Sequence, residues 1–153
     1  MVKEGKAAPD FVLPSGTGAD VRLSDFRGKT VVLFFYPRDN TPGCTREACG
    51  FRDSLAQFGK RGVVVVGVSP DSLASHEKFR AEHGLKFTLL SDPDKNVARA
   101  YGAFGEKVMY GKKVVGMIRS TFLIDREGII RKIFASVKVD GHVERVLAAV
   151  EAL

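Results

Sequence analysis

Cys44 and Cys49 are the only cysteines in a chain of 153 residues, and they stand five positions apart. The stretch that holds them reads Pro37-Arg38-Asp39-Asn40-Thr41-Pro42-Gly43-Cys44-Thr45-Arg46-Glu47-Ala48-Cys49. It follows an apolar run, Val31 to Tyr36, that reads as a buried strand, and it runs into a segment that reads as a helix. Thr41 suits the N-cap of that helix, and Pro42 its first turn, where a missing N–H costs nothing. Cys44 then falls third in the helix, among free N–H groups and at the positive end of the macrodipole. Both favour thiolate over thiol, and thiolate is the nucleophile. The chemistry in view is attack by Cys44 on an electrophile, which makes the stretch a redox site.

Two cysteines are too few for a disulfide framework, and a chain of this length does not need one. Buried bystanders, metal ligands and redox chemistry remain. Metal binding has little support, because His76, His83 and His142 are scattered and no second cysteine pair exists. The bystander reading suits a free cysteine in an apolar setting, whereas Cys44 has polar, turn-forming neighbours. The spacing adds a constraint. In an unbroken helix five residues give about 7.5 Å of rise and about 140° of rotation, so the Cα atoms lie about 8.6 Å apart. A disulfide needs them closer than about 7 Å. The two thiols therefore cannot bond while the helix is intact, and any reaction between them requires its first turns to unwind. Gly50 lies inside the helix and weakens it by about 1 kcal/mol relative to alanine. It is either part of a segment built to melt locally or a site of close packing.

The remaining elements must position this stretch. Residues 8–14 and Asp20 to Leu23 read as a hairpin joined by a turn at residues 15–18. Thr30 to Tyr36 and Val63 to Ser69 are near-continuous apolar strands, covered on both faces. Between them Ala48, Phe51, Leu55 and Phe58 form one apolar helical stripe, ended by Gly59 and Gly62. Asp71 and Ser72 cap a helix through Glu82 that Gly84 closes. Phe87 to Leu90 is a short strand, and Asp92-Pro93-Asp94 opens a small helix through Tyr101. Residues 105–111 read as a loop. Val114 to Arg119 and Ser120 to Ile124 form a strand region, and Ile129 to Phe134 is a hairpin partner across the turn 125–128. Gly141 to Leu153 is a closing helix with Val143, Val146, Leu147 and Val150 on one face. This order indicates an α/β domain with a mixed sheet, with residues 1–153 forming one domain.

Composition narrows the functional classes. The charge of +6 comes from basic residues interleaved with acids, densest at Lys112-Lys113 and Arg131-Lys132, which does not read as a nucleic-acid interface. No apolar run reaches the length of a membrane span. The N-terminal residues lack the apolar core of a signal peptide, so the expected location is cytoplasmic.

The run Phe35-Tyr36-Pro37…Thr41-Pro42-Gly43-Cys44-Thr45…Glu47-Ala48-Cys49 resembles the active-site motif of the peroxiredoxins, in the subfamily called bacterioferritin comigratory protein or peroxiredoxin Q. The resemblance extends to Ala8-Pro9-Asp10-Phe11, Leu89-Leu90-Ser91-Asp92 and Arg119-Ser120-Thr121-Phe122-Leu123-Ile124-Asp125. It implies a thioredoxin-like fold, a mixed central sheet flanked by helices, with an extra N-terminal β-hairpin. It implies that the Cys44 thiolate attacks a hydroperoxide and becomes a sulfenic acid. Cys49 would then condense with it to an intramolecular disulfide that a thioredoxin-type donor reduces. Arg119 would stabilise the thiolate and bind the peroxide oxygens, Thr41 would offer its hydroxyl, Pro37 would shield the sulfur, and Glu47 would orient polar neighbours or complement the helix dipole. The resemblance implies a hydroperoxide substrate and a monomer and calls for no cofactor; the absence of metal, nucleic-acid and membrane partners is expected from the scattered histidines, the interleaved charge and the short apolar runs. Two other readings use the same cysteines: a thiol–disulfide oxidoreductase, although that chemistry usually employs Cys-x-x-Cys, and a redox sensor.

Overall fold

The computed structural model describes residues 2–16 and 18–153. Its centre is a five-stranded mixed sheet in the order β5-β4-β3-β8-β9. The middle strand β3 (Thr30–Phe35) is buried along its whole length. It runs parallel to β4 (Val63–Ser69), which is parallel to β5 (Thr88–Ser91). On its other side it pairs antiparallel with β8 (Ser120–Ile124), which pairs antiparallel with β9 (Ile130–Phe134). Successive strand side chains point to opposite faces. Val32 and Phe34 therefore enter one core, with Phe51, Phe58, Phe79 and Val146. Val31, Leu33 and Phe35 enter the other, with Phe11, Leu90, Tyr101 and Phe122. A fully buried ring such as Phe34 contributes about 1.5–3 kcal/mol.

The segment after β3 is α1 (Pro42–Asp53), with Thr41 at its N-cap and Pro42 first, as expected. The single stripe anticipated to Phe58 is in fact two helices. The ladder breaks at Ser54, whose N–H bonds back to the Gly50 and Arg52 carbonyls, and α2 spans Leu55–Lys60 with Gly59 inside it. Helix α3 (Leu73–His83) starts at Ser72, which accepts the Ser75 N–H, and stops at Gly84 in the left-handed region (φ 61°). Helix α4 (Asn96–Ala100) is shorter than the sequence suggested, and α5 (His142–Glu151) closes the chain.

The N-terminal hairpin is present as β1 (Val12–Pro14) against β2 (Asp20–Arg22). Leu23 passes into a short 3₁₀ turn instead of ending the strand. The turn expected at residues 15–18 includes Thr17, which lies outside the described residues. Residues 105–111 are not a loop. Phe104–Met109 forms β6, paired antiparallel with β7 (Lys112–Met117) around the turn at Tyr110-Gly111. Both turn residues have positive φ, 52° and 77°, the geometry that lets a two-residue turn follow strand twist. Among the described residues no helix is long and apolar enough to cross a membrane.

Candidate active site

Strand direction brings distant residues together at one end of the sheet. β3 runs out at Phe35 and delivers the chain into the 37–41 turn and α1. β8 runs the opposite way, with Ser120 opposite Phe35, so its start lies at that same end. Arg119 is the residue just before β8, and its carbonyl accepts the Val137 N–H at 2.9 Å. Its side chain reaches back to α1.

Cys44 is the third residue of α1 and is buried. Arg119 Nη2 donates to its Sγ at 3.3 Å. The other arm of the guanidinium, Nη1, donates to Glu47 Oε1 at 2.7 Å. One guanidinium thus joins a thiol and a carboxylate that lie one helical turn apart. Gly43 makes room for it, since a Cβ there would sit 3.2 Å from Nη2. Burial opposes the charge of Arg119, yet Glu47 and Cys44 beside it hold its pKa above the ordinary value.

Glu47 has no exposed surface. Burial pushes its pKa up to about 7, against the opposing pull of Arg119. Its second oxygen, Oε2, has no hydrogen-bond partner among the described residues and lies 3.7 Å from His142 Nε2. That nitrogen in turn is 2.8 Å from the Thr121 hydroxyl. Burial lowers the His142 pKa to about 4, with Arg145 and Arg119 adding to the effect. When a proton occupies this pair it therefore sits on Glu47. The sign of the resulting pH dependence follows. Between about pH 4 and the unfolded value near 6.5, the unfolded chain holds the His142 proton and the folded chain does not, so this group's contribution to stability rises with pH. Glu47 acts in the opposite sense from 4.5 to about 7. We expect the destabilisation caused by His142→Asn to grow by up to about 1.4 kcal/mol per pH unit from pH 4 to 6.5 and then level off. Urea unfolding at several pH values measures it, and a cost that shrinks with rising pH contradicts the assignment.

Thr41 is at the N-cap, but its hydroxyl accepts no helical N–H. It donates instead to the Arg38 carbonyl at 2.8 Å, so it braces the turn before the helix. Pro37 lies half-buried in the bend after β3. Cys49 is half-buried in α1, and both cysteines are free. They share one unbroken helix of 12 residues, the arrangement that keeps them from bonding. Gly50 is a site of close packing: a Cβ there would meet Val143 Cγ2 of α5 at 2.9 Å.

The AhpC/TSA family matches residues 5–133. The chain belongs to this family, the peroxiredoxins. It is 51% identical to the putative peroxiredoxin bcp of Coxiella burnetii over 146 residues, which is 95% of this chain and 97% of that one. It is 47% identical to peroxiredoxin Bcp of Bacillus subtilis over 146 residues, 95% of this chain and 93% of that one. Two solved structures are similar throughout. A cysteine-to-serine variant of peroxiredoxin Q from Xylella fastidiosa gives a TM-score of 0.92 at 38% identity, covering 99% of this chain and 97% of that one. Bacterioferritin comigratory protein from Xanthomonas campestris, studied for its alkyl peroxide reduction activity, gives 0.88 at 43% identity, covering 93% and 90%. The thioredoxin-like fold with its N-terminal hairpin is thereby shown, and so is the subfamily. Membership implies a thiol peroxidase, with a peroxide as substrate and a thiol as reductant.

This peroxiredoxin brings Cys44, Arg119 and Glu47 into contact and keeps Thr41 and Pro37 in the adjoining turn. The sequence reading missed His142 and Thr121. No local signal marked them, because they meet Glu47 from α5 and β8 only after folding. The histidines judged scattered are also not isolated: His76 lies with Asp39 and Asp71 beside the same turn.

Proposed function

We propose that this peroxiredoxin reduces hydrogen peroxide and organic hydroperoxides through Cys44, with Cys49 as the resolving cysteine and a thioredoxin-type donor closing the cycle. The observation that carries the reading is the Arg119 guanidinium placed between Cys44 Sγ and Glu47. A guanidinium in that position stabilises the thiolate and can donate to a peroxide as charge moves onto the leaving oxygen. The thiolate attacks the near oxygen of the O–O bond. Sulfur is oxidised to a sulfenic acid, and the far oxygen leaves as water or alcohol after taking a proton. The Cys49 thiol then attacks the Cys44 sulfur and displaces water, which yields the intramolecular disulfide. A dithiol donor reduces that disulfide by exchange and leaves as its own disulfide.

The burial of Cys44 supports this reading over a protein disulfide oxidoreductase. A small peroxide needs little room at a buried sulfur, whereas a folded disulfide substrate must touch the attacking sulfur directly. Glu47 holds Arg119 in place, and Thr41 and Pro37 fix the turn that presents Cys44. In this reading the 153 residues act as one domain and a monomer in the cytoplasm, since resolution needs no second chain.

Treatment of the reduced chain with one equivalent of peroxide, followed by non-reducing peptide mapping, tests the proposal. The expected product is a Cys44–Cys49 disulfide within one chain. Only disulfides between chains would remove Cys49 from its role.

A further inference from the structure

Beside the site, a second polar cluster is buried that the reaction does not use. Its hub is Asp39, in the turn between β3 and α1. Asp39 Oδ1 accepts the Tyr36 hydroxyl at 2.7 Å. Its Oδ2 accepts the Ser75 hydroxyl at 2.8 Å and lies 2.7 Å from His76 Nδ1. Its N–H donates to Asp71 Oδ2 at 2.8 Å. The cluster is tied to the sheet in turn. Asp71 Oδ2 also accepts the Ser69 hydroxyl, and the Ser91 hydroxyl donates to the Asp71 carbonyl. His76 Nε2 lies 3.0 Å from the Leu90 carbonyl. The His76 and Asp39 side chains are 0% and 2% exposed, so water has little access to the bond between them, whereas Asp71 and Ser75 at the edge of the cluster are half-buried.

Asp39, Asp71 and His76 have the residue types of metal ligands, with ligand atoms within 4.8 Å of one another. The 2.7 Å between Nδ1 and Oδ2 is a hydrogen-bond distance and leaves no room for an ion between them. Each ring nitrogen of His76 faces an oxygen that accepts, the Asp39 carboxylate and the Leu90 carbonyl. The Asp39 pKa is lowered although burial raises it, because the bonds from His76 and Tyr36 favour the carboxylate.

The position of this cluster gives it a task. The turn it fixes is the one that starts α1. Asn40 is left-handed (φ 60°), the Thr41 hydroxyl is bound to the Arg38 carbonyl, and the Thr41 carbonyl accepts the first helical N–H, that of Thr45. The N-cap geometry of α1 therefore continues directly from a residue clamped to α3 and to the ends of β4 and β5. At the other end, Phe51 is fully buried and stacked on Phe34 with ring centroids 4.7 Å apart. Cys44 and Cys49 lie between these two fixed points.

We propose that Asp39 and His76 are positioning residues that hold the first turn of α1 closed and so set the balance between peroxide attack and disulfide formation. This rests on the reading in which Cys44 and Cys49 form a disulfide. With the clamp in place Cys44 stays on Arg119, which favours attack on the peroxide. The sulfenic acid of Cys44 condenses with the Cys49 thiol, releasing water, only after the turn frees itself. The clamp opposes that second step. Weakening it changes the two rates in opposite directions.

The test uses the full chain with His76→Gln and, as a milder variant that keeps the His76–Asp39 bond, Ser75→Ala. The chain has no tryptophan, so rapid quench with mass spectrometry replaces a fluorescence signal. The expected result for His76→Gln is sulfenic acid formation about tenfold slower and disulfide formation about tenfold faster, the scale set by one lost charge-assisted bond. Ser75→Ala should move both rates in the same senses and by less. Val150→Ala, a core truncation far from the turn, supplies a matched loss of melting temperature and should leave the ratio of the two rates unchanged. Unchanged rates in both clamp variants, rates that slow together, or an equal change in Val150→Ala would overturn the proposal. A wild-type chain that forms no Cys44–Cys49 disulfide would overturn the underlying reading, and this proposal with it.

Discussion

Cys44→Ser is expected to lower peroxide consumption to the rate of buffer alone. The hydroxyl does not ionise near neutral pH, so it supplies no nucleophile for the O–O bond. Its environment makes the variant informative. The smaller oxygen still has a donor, since Arg119 Nη2 lies against the sulfur it replaces at 3.3 Å. A buried hydroxyl with a partner costs little, about 1 kcal/mol or less. The variant should therefore fold with an unchanged far-ultraviolet spectrum while losing activity. Peroxide consumption with excess thiol donor is the measurement. Activity above a few per cent of wild type would show that the reacting group lies elsewhere.

Arg119→Met is expected to cost a hundred- to a thousandfold in kcat/KM for peroxide, on the order of the loss when one preorganised donor is removed from a developing oxyanion. The methionine fills part of the volume and donates nothing to either Cys44 or Glu47. Lysine at this position keeps a charge but presents a point donor instead of a fork, so it can serve one of the two partners and recover only part of the rate. The stability effect has a defined sign. Without Arg119 the burial of Glu47 is unopposed, and its pKa moves further above about 7. The folded chain then holds that proton to higher pH than the unfolded chain does, so the variant's stability falls more steeply than wild type as pH rises from 7 to 8. Peroxide kinetics together with urea unfolding at pH 6 and 8 measure both effects. A kcat/KM within threefold of wild type would remove Arg119 from the reaction.

The legible parts of the fold were those whose signals are local. β4 was readable to the residue because Val63 to Val68 is an unbroken apolar run, and α3 because Ser72 and Gly84 mark both its ends. The β6 strand was not readable. Among the described residues it pairs only with β7, outside the main sheet, and leaves Val108 and Met109 exposed, so no buried face shows in its pattern, and Gly105 and Gly111 suggested a loop. The same division holds at the site. Cys44 and Thr41 stand together in sequence, and helix-start chemistry marks them. Arg119 is 75 residues from Cys44 and carries no local signal, so only the family resemblance singled it out. Glu47 read either as an orienter of polar neighbours or as a dipole complement, and register places it against Arg119 with no exposed surface. His142, Thr121, Asp39 and His76 depend on contacts among α5, β8, α3 and the 37–41 turn, which no spacing in the sequence encodes.

Gly50 illustrates how one residue can serve two constraints. Its missing Cβ admits Val143 of α5 against α1, which favours the closed helix. The same absence lowers the helix propensity by about 1 kcal/mol, which makes the closed helix easier to leave. Phe51, the next residue, is stacked on Phe34 and packed at a tilt against Phe58, and it resists movement. In the proposed cycle the segment that opens is residues 42–50, which contain both cysteines.

That opening is the central claim, and amide hydrogen exchange tests it most directly. The chain is compared fully reduced and after one equivalent of peroxide has formed the disulfide. Amides of residues 42–50 should lose protection on oxidation, while those of Val32, Leu33 and Phe34 in the central strand stay unchanged. Identical exchange over residues 42–50 in the two states, with the Cys44–Cys49 bond in place, would contradict it.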